Sequence, residues 1–151
     1  MKGNQSLMKN GIAKILGSAG FLLLLLPPVL RADEPACSTP SLQGAFGYTV
    51  NGTTPANTPF AAVGRLVFDG RGQVNTVRTL SNGGAVARND TGAGTYSLGA
   101  DCRGSFTIGA VGLGQLQVDI VVSGGGMELR GIVTNPGFVL TLEGTKQKSG
   151  D

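Results

Sequence analysis

The sequence predicts an all-β domain, an antiparallel up-and-down meander of eight or nine strands closed into a small barrel. A two-sheet β-sandwich is the alternative. Three observations point there. Apolar and polar residues alternate with period two in segment after segment, and no stretch beyond residue 32 keeps a helical period. The 26 glycines largely fall between these β-rich runs at short intervals, which is how turns punctuate an all-β chain. The links are too short for crossovers, so sequential strands must be neighbours. Closing such a meander removes its two unpaired edges.

Residues 1–32 stand apart from this pattern. Lys2, Lys9 and Lys14 precede the run FLLLLL at residues 21–26, Pro27 and Pro28 break it, and Arg31-Ala32 close it. This is the layout of a secretory signal peptide, with Ala32 before the cut and Met8 as an alternative start. The apolar run is short for a membrane span. Glu34-Pro35-Ala36 before Cys37 is not a lipoprotein box. The protein is therefore expected to be exported, periplasmic or extracellular, with no stable membrane span once the leader is removed. Residues 33–40 are read as a flexible lead-in, 41–147 as one barrel domain and 148–151 as a flexible tail.

Removing the leader changes the charge. Four of the twelve basic residues leave with it, and eight remain against nine acids, a net charge of −1. Nucleic-acid binding needs a basic face to neutralise phosphates, and none survives. The roughly 119 residues left suffice for one domain with one core. Two cysteines, Cys37 and Cys102, are expected to pair in an exported chain. Their loop of about 66 residues corresponds to stabilisation on the order of 4 kcal/mol.

The strands are placed at 42–51, 60–69, 73–81, 84–89, 93–99, 102–108, 115–123, 126–134 and 138–147. The third and fourth read either as two strands around Asn82-Gly83-Gly84 or as one long bent strand. In QLQVDIVV, Leu116, Val118, Ile120 and Val122 share a side opposite Gln115, Gln117 and Asp119. In MELRGIV, Met127, Leu129 and Val133 lie opposite Glu128 and Arg130. In FVLTLEGT, Phe138, Leu140 and Leu142 lie opposite Thr141, Glu143 and Thr145. One wet face and one dry face is the mark of an antiparallel sheet over a core. An outer-membrane barrel would need an apolar band outside with aromatic girdles, and these charged residues occupy that face instead.

The stretch VGRLVFDGRGQV, residues 63–74, is read as a hairpin. A β-run, Asp69-Gly70 and a second β-run are a strong local turn signal. Calcium needs further oxygen ligands, and Asp69 is the only acid there. A phosphate loop needs a helix start after the glycines, and none is visible. No metal site and no cofactor are expected.

Through SLQGAFGYTVNG, AAVGRLVFDGRGQV and GTYSLGADCRGSFTI, the chain resembles a group of small exported bacterial β-barrel proteins of uncharacterised function. The resembling stretches span most of residues 37–145. More loosely, the group's barrel resembles the allene oxide cyclase and dirigent type, which binds small hydrophobic molecules inside. The resemblance implies export and a barrel and carries no catalytic motif.

The chain contains no His, so the commonest general base is missing and a Ser-His-Asp triad or Cys-His pair is excluded. No catalytic residue is assigned. The interior is more informative. Phe46, Tyr48, Phe68, Tyr96, Phe106 and Phe138 share the apolar parity of their strands. They either fill the barrel or line a pocket for one small ligand. Arg78 is the odd residue, because counting in twos from Val74 turns it inward. Either a bulge returns it to water, or it anchors an anionic ligand at the barrel mouth, since a buried guanidinium needs a partner. Tyr48, Phe68, Arg78, Tyr96, Phe106 and Phe138 are thus the candidate ligand-binding residues. The function expected is a non-enzymatic exported barrel binding a small apolar or amphipathic molecule or a protein partner. The alternative is a cyclase- or isomerase-like enzyme acting through a shaped apolar cavity.

Overall fold

A computed structural model describes residues 36–148. The expected export leader, 1–32, lies outside the described residues, as do residues 33–35 and 149–151. Eight strands follow in chain order: β1 (Gly44–Thr53), β2 (Pro59–Phe68), β3 (Gln73–Asn82), β4 (Ala85–Leu98), β5 (Arg103–Ala110), β6 (Gly114–Ser123), β7 (Glu128–Val133) and β8 (Val139–Lys146). Each pairs antiparallel with the next, and β8 returns to β1, so the meander closes into a barrel. The sandwich alternative is thereby set aside.

Period-two patterning puts the core inside the closed sheet. Leu66 and Phe68 from β2, Leu116, Val118, Ile120 and Val122 from β6, and Leu140 and Leu142 from β8 are all buried. Asp119, Glu128, Arg130 and Glu143 point to solvent. Burying one such aliphatic or aromatic side chain is worth about 1.5–3 kcal/mol, and a one-residue slip of register would forfeit that gain along a whole strand.

Three expectations about the strands are corrected. Asn82-Gly83-Gly84 is a turn, so the third and fourth predicted strands do not fuse. The fusion occurs one step later, where 84–89 and 93–99 form the single strand β4. The register between β3 and β4 slips there: Arg78 faces Asp90, but Leu80 faces Ala87. The extra residue lies in β4 at Arg88-Asn89, and Asn89 has φ 55°, a left-handed value that Asn tolerates. A bulge bends a strand without ending it, so residues 90–92, left between the two predicted strands, continue the sheet instead of forming a loop. Met127 was expected inward and is exposed, because Gly124-Gly125-Gly126 delay the start of β7 until Glu128. Phe138 precedes β8 and lies in the turn before it, half-buried.

The two barrel ends differ. One end carries the turns at 69–72, 99–102 and 124–127, together with the 3-10 turn Thr39–Leu42. Leu42 is buried there and plugs that end. Cys37 and Cys102 are disulfide-bonded, with 4.9 Å between their Cα atoms. Within residues 36–40 the chain carries the disulfide at Cys37 and a Ser38 capping box at the start of the turn that follows. The other end, formed by turns 54–58, 83–84, 111–113 and 134–138, is the mouth.

The wall is least regular between β4 and β5. Ladder pairing there is limited to Tyr96–Phe106, Ser97–Ser105 and Leu98–Gly104. Nearer the mouth, side-chain contacts take over part of the bridging.

Candidate functional site

The interior divides into two halves. Toward the disulfide end, rings fill the space. Phe68 packs edge-on against Phe46, Tyr96 and Phe106, with centroid separations of 5.6, 4.9 and 6.1 Å. Such T-shaped contacts suit the ring quadrupole. The Tyr96 hydroxyl donates to the Thr39 carbonyl oxygen at 3.0 Å, which fastens the N-terminal turn to the ring stack. Burial pushes the Tyr96 phenol above its ordinary pKa, partly offset by backbone hydrogen bonding.

The half nearer the mouth holds the polar groups. Arg78 points inward from β3, and Asp90 points inward beside it from β4. The Arg78 Nη2 to Asp90 Oδ2 separation is 2.6 Å, and the side chains are 5% and 9% exposed. Nε also donates to Oδ2 at 2.7 Å, and Nη2 donates to the Gly109 carbonyl oxygen on β5 at 2.5 Å. One side chain thus ties β3, β4 and β5 together where the β4–β5 ladder lapses. The expectation that a bulge returns Arg78 to water is corrected: the bulge exists, but it lies in the partner strand, and Arg78 stays inside, paired with Asp90.

Glycine makes room for this arrangement. Gly64 on β2 lies directly opposite Arg78, and a Cβ there would approach the Arg78 Cβ to 2.5 Å. Tyr48 and Thr76 complete the polar interior through a hydroxyl–hydroxyl hydrogen bond of 3.0 Å. No buried side-chain nitrogen or oxygen among the described residues lacks a partner.

A cavity of about 30 Å³ remains beside Arg78, lined by Tyr48, Phe60, Phe106, Ile108, Leu116 and Leu142 among others. That is room for about one water molecule. Of the six residues proposed from sequence for a ligand, Tyr48, Arg78 and Phe106 line this cavity. Phe68 and Tyr96 belong to the ring stack instead. Phe138 sits with Leu113 at the mouth, against an open depression of about 530 Å³.

The DGRG turn is a closed hydrogen-bonded unit. Asp69 Oδ1 accepts from the backbone N–H groups of Arg71 (2.7 Å) and Gln73 (2.9 Å). Gly70 and Gly72 adopt φ of 80° and 107°, values that favour glycine. The N–H groups of Gln73 and then Arg71 hold the Asp69 carboxyl below its usual pKa. Among the described residues no group of three His, Cys, Asp or Glu side chains is placed to hold a metal ion.

Asp90 is the residue that sequence reasoning missed. It shares the inward parity of Tyr96, Gly94 and Gly92, but reading 90–92 as a link between two strands left it outside the sheet.

No family model matches this chain, and no curated protein matches it. Among solved structures, a redesigned β-barrel is similar to it at 14% sequence identity and a TM-score of 0.48, covering 73% of this chain and 95% of that one.

Proposed function

We propose that this protein is an exported, non-enzymatic β-barrel that acts as a binding module through its outer wall, with the interior serving as its core. The observation that carries this reading is the interior cavity of about 30 Å³. Ligand pockets span roughly 300–1,000 Å³, so a substrate does not fit beside the packed rings. Catalysis finds little support either. The inward carboxylate, Asp90, is neutralised by Arg78, and the chain contains no His. Export is supported by the leader-like residues 1–32, by the disulfide, which belongs to oxidising compartments, and by the resemblance to exported bacterial barrels. No helix among the described residues is long and apolar enough to cross a membrane.

One observation favours a second reading. Arg78 lines a cavity whose other walls are apolar apart from Tyr48. A small amphipathic molecule entering past Leu113 and Phe138 would place its polar head there, against Tyr48 and Phe106, with Phe68 and Tyr96 deeper in. The cyclase- or isomerase-like alternative needs this same space. Methyl NMR during titration with 1-octanol separates the readings. The first predicts no saturable shifts at Ala62, Val118 or Leu142. Saturable shifts there would replace it with the second.

A further inference from the structure

The two ends of the barrel differ in charge. At the disulfide end, the turns and adjoining strand ends carry Asp69, Arg71, Asp101, Arg103, Glu128 and Lys146. The mouth carries none. Residues 51–61, 79–87, 106–118 and 131–142 cover its four turns and the strand ends that enter and leave them, and they contain no Asp, Glu, Lys or Arg. The mouth is aliphatic instead. Val86, Val111 and Val139 are 57%, 55% and 65% exposed, Pro55 is exposed, and Leu113 and Phe138 are half-buried against the core. Scattered exposed valines on strands need no explanation. Here they stand on three different parts of one barrel end, and no charge interrupts them. An exposed apolar patch of this kind marks contact with a protein or with a membrane.

The polar groups of the turns favour the membrane. The Thr58 hydroxyl donates to Asn82 Oδ1 at 2.9 Å and is hydrogen-bonded to the Thr54 hydroxyl. Asn135 Oδ1 accepts from the Gln117 N–H at 2.7 Å, and its Nδ2 donates to the Gln115 carbonyl oxygen at 3.1 Å. The N–H groups of Asn57, Gly83, Leu113 and Phe138 donate to carbonyl oxygens of the same four turns and their flanks. A protein interface exchanges roughly one hydrogen bond per 100–200 Å², and these groups are already engaged with one another. An acyl phase supplies no partners and accepts only polar groups that are satisfied from within.

We propose that the mouth end seats the protein on a lipid surface, with Val111, Phe138 and Val139 entering the boundary between headgroups and acyl chains and the charged end facing water. The inference goes beyond the outer-wall reading, because this seating leaves the wall free for another partner. The mouth holds no cation to meet anionic headgroups, so the attraction is the burial of aliphatic surface, and a lipid surface without net charge suffices.

Flotation with phosphatidylcholine vesicles tests the proposal. The expected result is binding that rises with lipid concentration and is the same at low and high salt, because it involves no charge pair for salt to screen. Val111→Glu/Val139→Glu should weaken binding by roughly tenfold or more, since each change replaces buried aliphatic surface by a charge. Arg71→Ser, at the opposite end, should leave it unchanged. Phe138→Trp supplies a reporter, whose fluorescence bromine-labelled acyl chains should quench. Circular dichroism on each variant checks that the barrel remains folded. A parent that does not float at any lipid concentration would overturn the proposal. So would flotation that persists in the double variant, flotation that salt abolishes, or a floating protein whose tryptophan is not quenched. Self-association without lipid that the double variant abolishes would assign this end to a protein contact and overturn it as well. Each of these results leaves the outer-wall reading standing.

Discussion

Arg78 and Asp90 face each other across β3 and β4 inside the barrel wall, 2.6 Å from Nη2 to Oδ2. The pair is nearly dry, so removing one partner strands the other charge. Arg78→Ala is expected to cost about 3–5 kcal/mol in urea unfolding. Replacing both, as Arg78→Met with Asp90→Leu, should recover most of that loss, because an isosteric apolar pair needs no counter-charge. A single-variant loss below about 0.5 kcal/mol, the usual size of a surface change, would place the guanidinium in water.

Phe68 meets three other rings and is 1% exposed. Phe68→Ala should cost about 3–5 kcal/mol, as large-to-small core changes do. Phe138, half-buried in a turn at the mouth, should cost clearly less on the same substitution. Equal losses would mean that the mouth is packed as tightly as the ring stack.

The disulfide joins Cys37, ahead of the barrel, to Cys102, 65 residues on, before β5. Replacing both cysteines by Ser should lower stability by about 2–4 kcal/mol while the far-ultraviolet circular dichroism of the barrel persists. Mass spectrometry under non-reducing conditions that finds two free thiols would remove the basis for this prediction.

Asp69 makes a pH prediction. Its folded pKa is depressed by the N–H groups of Gln73 and Arg71. Its contribution is therefore present above the ordinary carboxylate pKa, near about 4, and is lost as pH falls through the lower folded value. The stability difference between the parent and Asp69→Asn should be constant at neutral pH and change below that point. Added calcium should leave the melting temperature of both unchanged. A calcium-dependent rise in the parent that Asp69→Asn abolishes would make the turn a cation site.

The elements that were legible in sequence are those with strict period two. Leu116 to Val122 and Leu140 to Leu142 declare their inward face residue by residue, and short glycine turns dictate a meander. Arg78 was also legible as inward by counting from Val74. What sequence could not supply was the continuity of β4 and the location of its parity change. Counting back in twos from Tyr96 turns Asp90 inward without any bulge; Asp90 escaped because 90–92 read as a link between two strands, whereas the bulge at Arg88-Asn89 reverses only the parity of the residues before it. Phe138 failed for a related reason: a residue just outside a strand keeps the parity of its neighbours without sharing their position. The volume left inside depends on how rings from distant strands interlock, which no single segment encodes.

The central claim is that the interior is a filled core, so the most direct measurement adds volume to it. Ala62 lines the cavity beside Arg78 and is buried, and a phenyl ring there occupies far more than the space available. Equilibrium unfolding of Ala62→Phe should show a loss of about 1–3 kcal/mol, the usual cost of overpacking. Unchanged or increased stability would contradict the claim, because only an interior with room to spare takes the extra ring without cost.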